Sequence, residues 1–559
     1  MALIDYFPSK YTPTEDQKSI IKKIEDALSS GFTNIVLCAP TGIGKSHIAT
    51  TVTNYASSSF IVTGQKILQD QYARDFPWMY SLKGKNNFLC LDLWDSQKLD
   101  FNEASKQKDL RCNHGVCTRI EIDANKKKSF VHCSFKPQIE EYRIRDLKTE
   151  NEQISGPENM CLYYDQKYKA LHASHTICNY SSFFQTLKFT QGIESRLERN
   201  CLIVDEAHEI EDQIINLIGF EVLPTYLIDV NDKFANYNFS NKEQFVTLLS
   251  NLKNAYREKI ESDLVYNKMI SFKMRLQNIE IILNAIEQNS ENILIEEKKS
   301  STDEIEKIIF TPLEIKNYIS NFFNFPVQIF MSATLDHEIF CEMMGFNKSE
   351  CKFIEIKKSP FPIENRKIQF LNISRLSSQS PQSEWHKIYA EVDKILKAHS
   401  NDKGLILTNT INQCKNLLEY FSEFSEDSWL RIKPVYSNLE DDKEKILEEH
   451  KNTDLNQVLL SPSLWYGVDL KGDLSRFQII LKTPFASIGD LRIKRKMDLN
   501  QEWYDYKTLV KIIQGFGRSI RDKDDHAETF VLDTRTEELI KKMESKVPKA
   551  YHDVLKINL

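Results

Sequence analysis

Short apolar runs alternate with longer amphipathic stretches along most of this chain. Ile35-Val36-Leu37 and Leu202-Ile203-Val204 are brief, continuous and rich in β-branched residues. Such runs predict strands of a parallel sheet covered on both faces. After about residue 345 the pattern returns in "KGLILTNT", "NQVLLSPSLWYGVDL" and "RFQIILKTP", which predict a second α/β unit. Between the two lies a different period. Met269, Phe272, Leu276, Ile279, Leu283 and Ile286 recur at alternating steps of three and four. That is one apolar stripe on a helix, and it predicts a partner helix. The polar "EEKKSSTDE" from Glu296 predicts an exposed loop. "YKTLVKIIQGFGRSIRDKDD" has helical periodicity in its first part and carries Gln514, Arg518 and Arg521. The spacing of three predicts that both arginines share a helix face.

Composition narrows the class. A chain of 559 residues holds two or more domains. Net charge is −7, so any nucleic-acid contact must use local patches. One candidate runs from Lys482 to Lys523, with ten Lys/Arg against five Asp/Glu; "LRIKRK" from Leu491 is its densest part, and a solvated face explains that part equally well. Residues 86–158 hold 12 basic and 13 acidic residues, so strand binding there needs aromatic stacking too. The chain has neither an apolar run of 18 residues nor a signal-peptide pattern at Met1. A cytoplasmic protein is expected, or a nuclear one if the source has a nucleus. Eleven cysteines in a reducing compartment argue against a disulfide scaffold. Cys38 and Cys201 fall in expected strands and read as small core residues. Five others gather at Cys90, Cys112, Cys117, Cys133 and Cys161.

Two motifs carry chemistry. "APTGIGKS", Ala39 to Ser46, follows the first strand, with alanine where a phosphate loop usually begins in glycine. Gly42 and Gly44 let backbone N–H groups turn toward an anion; Lys45 would reach the β and γ phosphates, and Ser46 would hold Mg²⁺. Asp205-Glu206-Ala207-His208 closes the second strand. Asp205 suits Mg²⁺ coordination, and Glu206 could polarise an attacking water. Together they predict an NTPase. Lys45 and Asp205 stand 160 residues apart, more than a few βα units need, so the cysteines lie in an insert. His208 and Phe330 are also more than 120 apart, so the helical stripe lies in a second insert. Arg518 and Arg521 read either as arginine fingers or as a surface salt-bridge ladder. Cys112-x4-Cys117 is compatible with a metal but is not a zinc-ribbon spacing; zinc and an iron–sulfur cluster fit thiolates equally by residue type. His114 and His132 are further candidate ligands or solvated side chains.

These residues together resemble the XPD/DinG family of superfamily 2 DNA helicases. The resemblance spans nearly the whole chain and keeps motif order: Gln17 in "YTPTEDQ", Ala39 to Ser46, "TGQKILQDQY" from Thr63, "LKGKNNFLC" ending at Cys90, "CLYY" from Cys161, "ICNYSSFF", Ser332-Ala333-Thr334, "SPFPIENR" from Ser359, "SPSLWYGVDL" and "QGFGRSIR". It implies an α/β fold of two RecA-like P-loop domains. The first would comprise residues 1–85, 165–215 and 321–344, interrupted by an iron–sulfur insert (86–164) and a helical arch (216–320); the second would span 345–559. The resemblance implies that Gln17, Thr41, Gly42, Gly44, Lys45, Ser46, Asp205, Glu206 and Asp469 hold ATP and Mg²⁺. Lys45, Glu206, Gln514, Arg518 and Arg521 would serve hydrolysis. A 4Fe–4S cluster is implied on Cys90, Cys117, Cys133 and Cys161, with Cys112 the alternative for one middle ligand and zinc the alternative metal. Single-stranded and forked DNA would be the partners of a monomer moving 5′ to 3′, with no membrane involved. A DNA-stimulated ATPase that remodels protein–DNA complexes is the alternative, and a binding module switched by ATP is a third reading. The chain departs from the family pattern at Thr14, where arginine is usual, at Tyr466, where glutamate is usual, and in having a fifth insert cysteine. No exonuclease segment precedes Gln17, so nuclease activity is not expected.

Overall fold

The computed structural model describes residues 1–556 apart from positions 65, 96, 98–99, 119, 123–127, 131–132, 146–152, 190–197, 240–241, 262–265, 289, 437–439, 467, 469 and 521–523. The chain divides into two compact units. The first comprises Met1–Thr51, Phe330–Phe340 and Lys348–Leu559; the second comprises Val52–Ile329 and Cys341–Asn347.

In the first unit, six parallel strands form one sheet in the order Ile368–Ser374, Glu528–Asp533, Phe477–Ile480, Gly404–Leu407, Val458–Ser461, Ile432–Pro434. Successive residues serve opposite faces. Leu405, Leu407, Leu459 and Ile480 join one core, while Ile406, Val458, Leu460 and Ile479 join another. Burial on both faces is why these strands read as unbroken apolar runs rather than alternating ones. The same unit carries strand Asn34–Cys38, paired in parallel with Cys351–Glu355. Helix Glu15–Ser29 precedes it and opens on a capping box: Thr14 Oγ1 accepts from the Gln17 N–H at 3.2 Å, and Gln17 Oε1 accepts from the Thr14 N–H at 2.9 Å.

In the second unit, strands Cys201–Asp205, Ser59–Thr63, His175–Asn179 and Tyr80–Leu82 lie side by side in parallel. Between Leu82 and helix Leu162–His172 the described residues form short helical turns and two small antiparallel ribbons, Ile120–Ile122 with Lys128–Phe130 and Arg143–Arg145 with Gln153–Ser155. Farther on, helix Tyr266–Gln288 packs along helix Lys242–Glu261. Phe272 of the expected stripe stacks on Tyr256 with centroids 4.9 Å apart. The stripe therefore does what its period implies. A three-stranded antiparallel sheet accompanies the pair, in the order Phe220–Val222, Ile305–Pro312, Ile293–Lys299.

Two local expectations are corrected. Glu296–Lys299 is strand, not loop; only the turn from Ser300 to Glu304 connects, with Asp303 at φ +64°. Charged residues fit there because one face of the hairpin is exposed. The helix Gln501–Phe516 ends before Arg518. Gly515 and Gly517 weaken helix propagation, and the Gly517 N–H turns back to the Gln514 carbonyl at 3.3 Å. Arg518 thus lies beyond the helix, and Arg521 lies outside the described residues. Among the described residues, no helix is long and apolar enough to cross a membrane.

Candidate nucleotide site and thiol cage

The phosphate loop follows strand Asn34–Cys38 and leads into helix Lys45–Tyr55. Its base is fixed by the Ala39 N–H, which donates to the Ser332 carbonyl at 2.9 Å. Gly42 and Gly44 sit at φ +80° and +78°, where side chains are strained, which explains both glycines. A methyl group on Gly44 would overlap the Gln17 amide. That amide donates to the Ile43 carbonyl at 3.1 Å, so Gln17 braces the loop directly. Lys45 Nζ donates to the Ala39 carbonyl at 3.3 Å. Ser46 lies in the first turn of an 11-residue helix, whose N-terminus favours an anion. Thr41 is buried; a methyl on Gly517 would stand 3.0 Å from its hydroxyl. His47 meets the Tyr11 ring edge-on at 4.5 Å, which sets an aromatic wall beside Gln17.

A buried polar chain runs from the loop after Ser332 to the helix Gln501–Phe516. Gln514 Nε2 donates to Thr334 Oγ1 at 3.2 Å. Arg518 turns back on Gln514, donating from Nε to its carbonyl at 3.0 Å and from Nη2 to its Oε1 at 3.3 Å. It also reaches the Val468 carbonyl at 3.4 Å and is 3% exposed. Tyr506 donates to the Thr334 carbonyl at 2.8 Å and accepts from the Asp336 N–H at 2.9 Å. Lys546 pairs with Asp336 at 3.2 Å.

The acidic pair belongs to the second unit. Asp205 ends its strand and is buried. Its Oδ2 accepts from Tyr72 at 3.0 Å, and its Oδ1 accepts from the Glu206 N–H at 3.0 Å. Burial and the neighbouring carboxylates push the Tyr72 phenol well up, so it stays a donor. Glu206 adopts φ +54°, a left-handed conformation that costs a side-chain-bearing residue about 1–3 kcal/mol. Tyr180 holds that turn by donating to the Glu206 carbonyl at 3.2 Å, and His208 Nδ1 lies 3.3 Å from Glu206 Oε2.

The five insert cysteines converge. An antiparallel bridge between Leu89 and Arg111 sets their neighbours side by side. The Cys90 N–H donates to the Leu110 carbonyl, and the Cys112 N–H to that of Phe88, each at 2.8 Å. Gly115 leaves room for Cys90: a methyl there would come within 2.8 Å of its sulfur. Cys112 Sγ stands 4.0 Å from Cys161 Sγ. The Cys161 N–H donates to the Phe135 carbonyl at 2.6 Å, and the Cys133 carbonyl accepts from the Lys136 N–H at 3.1 Å. All five thiols are free, and only Cys117 is partly exposed. Hydrogen bonding with Cys112 lowers the pKa of Cys117 to about 6, with help from Lys85 and Lys136, and contact with Cys112 also lowers that of Cys161. Burial pushes Cys90 and Cys133 up. A donor set of thiols alone, some of them favoured as thiolates, fits an iron–sulfur cluster or zinc. Aromatic rings adjoin the cage: Lys85 lies 5.5 Å from the Tyr163 ring centre, and Lys136 lies 4.7 Å from that of Tyr164.

Comparisons fit this geometry. Residues 392–554 match the helicase C-terminal domain family, and residues 10–231 match the family described as type III restriction enzyme, res subunit. The chain is 24% identical to the ATP-dependent DNA helicase YoaA of Haemophilus influenzae, over 94% of this chain and 91% of that protein. It is 22% identical to YoaA of Escherichia coli, over 94% and 92%. Among solved structures, an XPD helicase superposes with a TM-score of 0.56 at 15% identity, covering 96% of this chain and 98% of that one. An apo XPD structure gives 0.51, also at 15% identity, covering 94% and 98%. These likenesses support the chain's resemblance to helicases of the XPD/DinG type.

Thr41, Gly42 and Gly44 lie on the phosphate loop and Lys45 and Ser46 at the start of its helix, Gln17 braces the loop from a neighbouring helix, and Gln514 and Arg518 hydrogen-bond to each other. Asp205 and Glu206 form their own turn. Asp469, Arg521 and His132 lie outside the described residues. His114 pairs with the Asn113 side chain at 3.0 Å. Cys112, held in reserve on sequence, is the most buried of the five thiols and stands within 4.0 Å of the Cys161 sulfur. The basic stretch 482–523 is not one surface. Lys496 is buried over Trp503 at 4.3 Å, and Lys482 Nζ donates to the Ser377 carbonyl at 2.9 Å, which leaves Lys494 and Arg495 as the exposed cations of "LRIKRK". Sequence reasoning missed Tyr506 and Tyr11. Tyr11 stood in the quoted "YTPTEDQ", but Tyr506 reads only as one more apolar position of its helix.

Proposed function

We propose that this chain is an ATP-dependent DNA helicase that moves 5′ to 3′ along single-stranded DNA. The helicase C-terminal domain match and the YoaA relatives support the activity; the direction rests on family likeness alone. The observation that carries the reading is the link Thr334–Gln514–Arg518. A motor must tell its arginine when a γ-phosphate is present. Here the arginine is held by a glutamine that also reads the segment after Ser332, whose carbonyl anchors the phosphate loop.

The cycle follows from the contacts. Phosphates entering the loop draw Lys45 from the Ala39 carbonyl, because a phosphate is a far stronger partner than a neutral amide. By the family likeness, Ser46 and Asp205 would each serve as Mg²⁺ ligands and Glu206 would orient the attacking water. Arg518 leaves Gln514 for the developing charge on the γ-phosphate, and Gln514 passes the change to Thr334. Loss of that charge on hydrolysis lets Arg518 return. The iron–sulfur insert spans residues 86–164, the arch 216–320, and the RecA-like parts lie as the family pattern divides them. A 4Fe–4S cluster on four of the five thiols would crosslink an insert that has little apolar core of its own. Lys85, Lys136, Tyr163 and Tyr164 supply phosphate contacts and stacking surface for a single strand, offsetting an insert of near-neutral charge.

Steady-state ATPase with and without single-stranded DNA, run beside strand displacement on a forked duplex, tests the reading. Wild type should show both activities, with turnover raised by DNA. Glu206→Gln should still bind nucleotide while turnover falls by about two orders of magnitude or more. DNA-stimulated turnover without displacement would select the remodelling ATPase instead. Absence of both would end the motor reading.

A further inference from the structure

Phe361 stands in "SPFPIENR", a segment to which the proposed cycle gives no task. Its buried ring lies against the phosphate loop, and a methyl on Gly42 would run into it. Gly42 is thus restricted twice, by its φ of +80° and by this ring. The root of Phe361 is fixed from behind. Its N–H donates to Ser359 Oγ at 3.2 Å, and its carbonyl accepts from Arg366 Nε at 3.2 Å. Arg366 is buried, donates to the Ala550 carbonyl at 3.2 Å and pairs with Asp553. The ring also packs with Ile520 and Ala527 in a small cluster of its own. The Ala527 N–H donates to the Asn365 carbonyl at 2.9 Å, which ties the two segments at the backbone. Ile520 stands between Arg518 and Arg521 in sequence.

One braced ring therefore touches both the glycine that would face the phosphates and the residue between the two arginines. We propose that Phe361 is a positioning residue that couples occupancy of the phosphate loop to Arg518 through Ile520. When phosphate fills the loop, the Gly42 peptide reorients, and close packing leaves no slack at the ring. Ile520 moves with the ring and turns Arg518 toward the nucleotide. This rests on the ATPase reading above.

The test uses the full chain carrying Phe361→Ala or Phe361→Leu. Steady-state ATPase at saturating single-stranded DNA is measured beside binding of a fluorescent ADP analogue and thermal unfolding. Phe361→Ala should lower kcat about tenfold while KM for ATP and the analogue's Kd stay within about threefold; Phe361→Leu, which still reaches Ile520, should recover most of kcat. Weakened nucleotide binding with unchanged kcat would overturn the proposal and make the ring a wall of the nucleotide site. Equal loss in both variants with a matching fall in Tm would reduce it to packing. An active wild type with equally active Phe361→Ala overturns this proposal alone, whereas an inactive wild type removes the ATPase reading and this proposal with it.

Discussion

At the scale of single residues, function shows where a side chain stands in a costly place. Gly42, Gly44 and the acidic pair were legible in sequence because phosphate binding restricts residue type. Tyr506 was not, because a buried phenol and a buried phenylalanine give the same apolar signal. Lys511 was hidden for the opposite reason: in sequence it is one cation among ten in a basic stretch. In the fold its ammonium lies 5.1 Å from the Trp465 ring centre, and burial pushes its pKa down to about 8. Trp465 is itself pinned, donating to the Thr408 carbonyl at 2.8 Å, and a methyl on Gly515 would approach its ring to 2.9 Å. The folded state holds the charged lysine at a cost that is fully present below pH 8. That cost fades as pH rises toward the ordinary lysine value of 10.5, because the unfolded chain then loses its proton too. Lys511→Met should therefore raise Tm at pH 7 by about 2–4 °C, with the advantage shrinking between pH 8 and 10.5. Thermal melts across that range check it. A gap that widens with pH would mean that the lysine is stabilised by a partner.

At the scale of elements, periodicity served well where packing alone decides. The stripe on Tyr266–Gln288 found its partner helix, and the apolar runs of the second α/β unit became strands buried on both faces. It failed where glycines interrupt a helix, since an amphipathic count cannot see Gly515 and Gly517 ending it. It was also silent on the cage, because thiols brought together by turns have no period. Spacing gave the five cysteines but not that Cys112 sits among the others. Chemistry separates these thiols from those in strands. Burial pushes Cys38 and Cys201 up to about 12, and Cys178 higher still, so each resists ionisation. Protein purified without oxygen should be brown, and four of its insert cysteines should resist alkylation until iron is removed. After removal those four should react, while Cys38, Cys178 and Cys201 stay unlabelled in the folded chain. Site-resolved alkylation with metal analysis reads both. Colourless protein with one zinc per chain would replace the cluster by zinc and leave the motor standing.

At the scale of the whole molecule, the family likeness and the motif order were readable along nearly the full length, because the motifs that bind ATP recur in fixed order. Which way the motor walks is not written in any of these contacts. The two RecA-like folds are built alike, and a phosphate contact carries little polarity. The 5′-to-3′ direction is therefore the claim most open to contradiction. One strand-displacement assay decides it, with two duplexes carrying single-stranded tails of equal length at opposite ends, ATP and Mg²⁺. The account predicts displacement of the duplex with the 5′ tail, little from the 3′ tail, and weaker action on both as salt screens the phosphates. Preference for the 3′ tail would contradict it, even if Lys45, Glu206 and Arg518 all behave as ATP-site residues should.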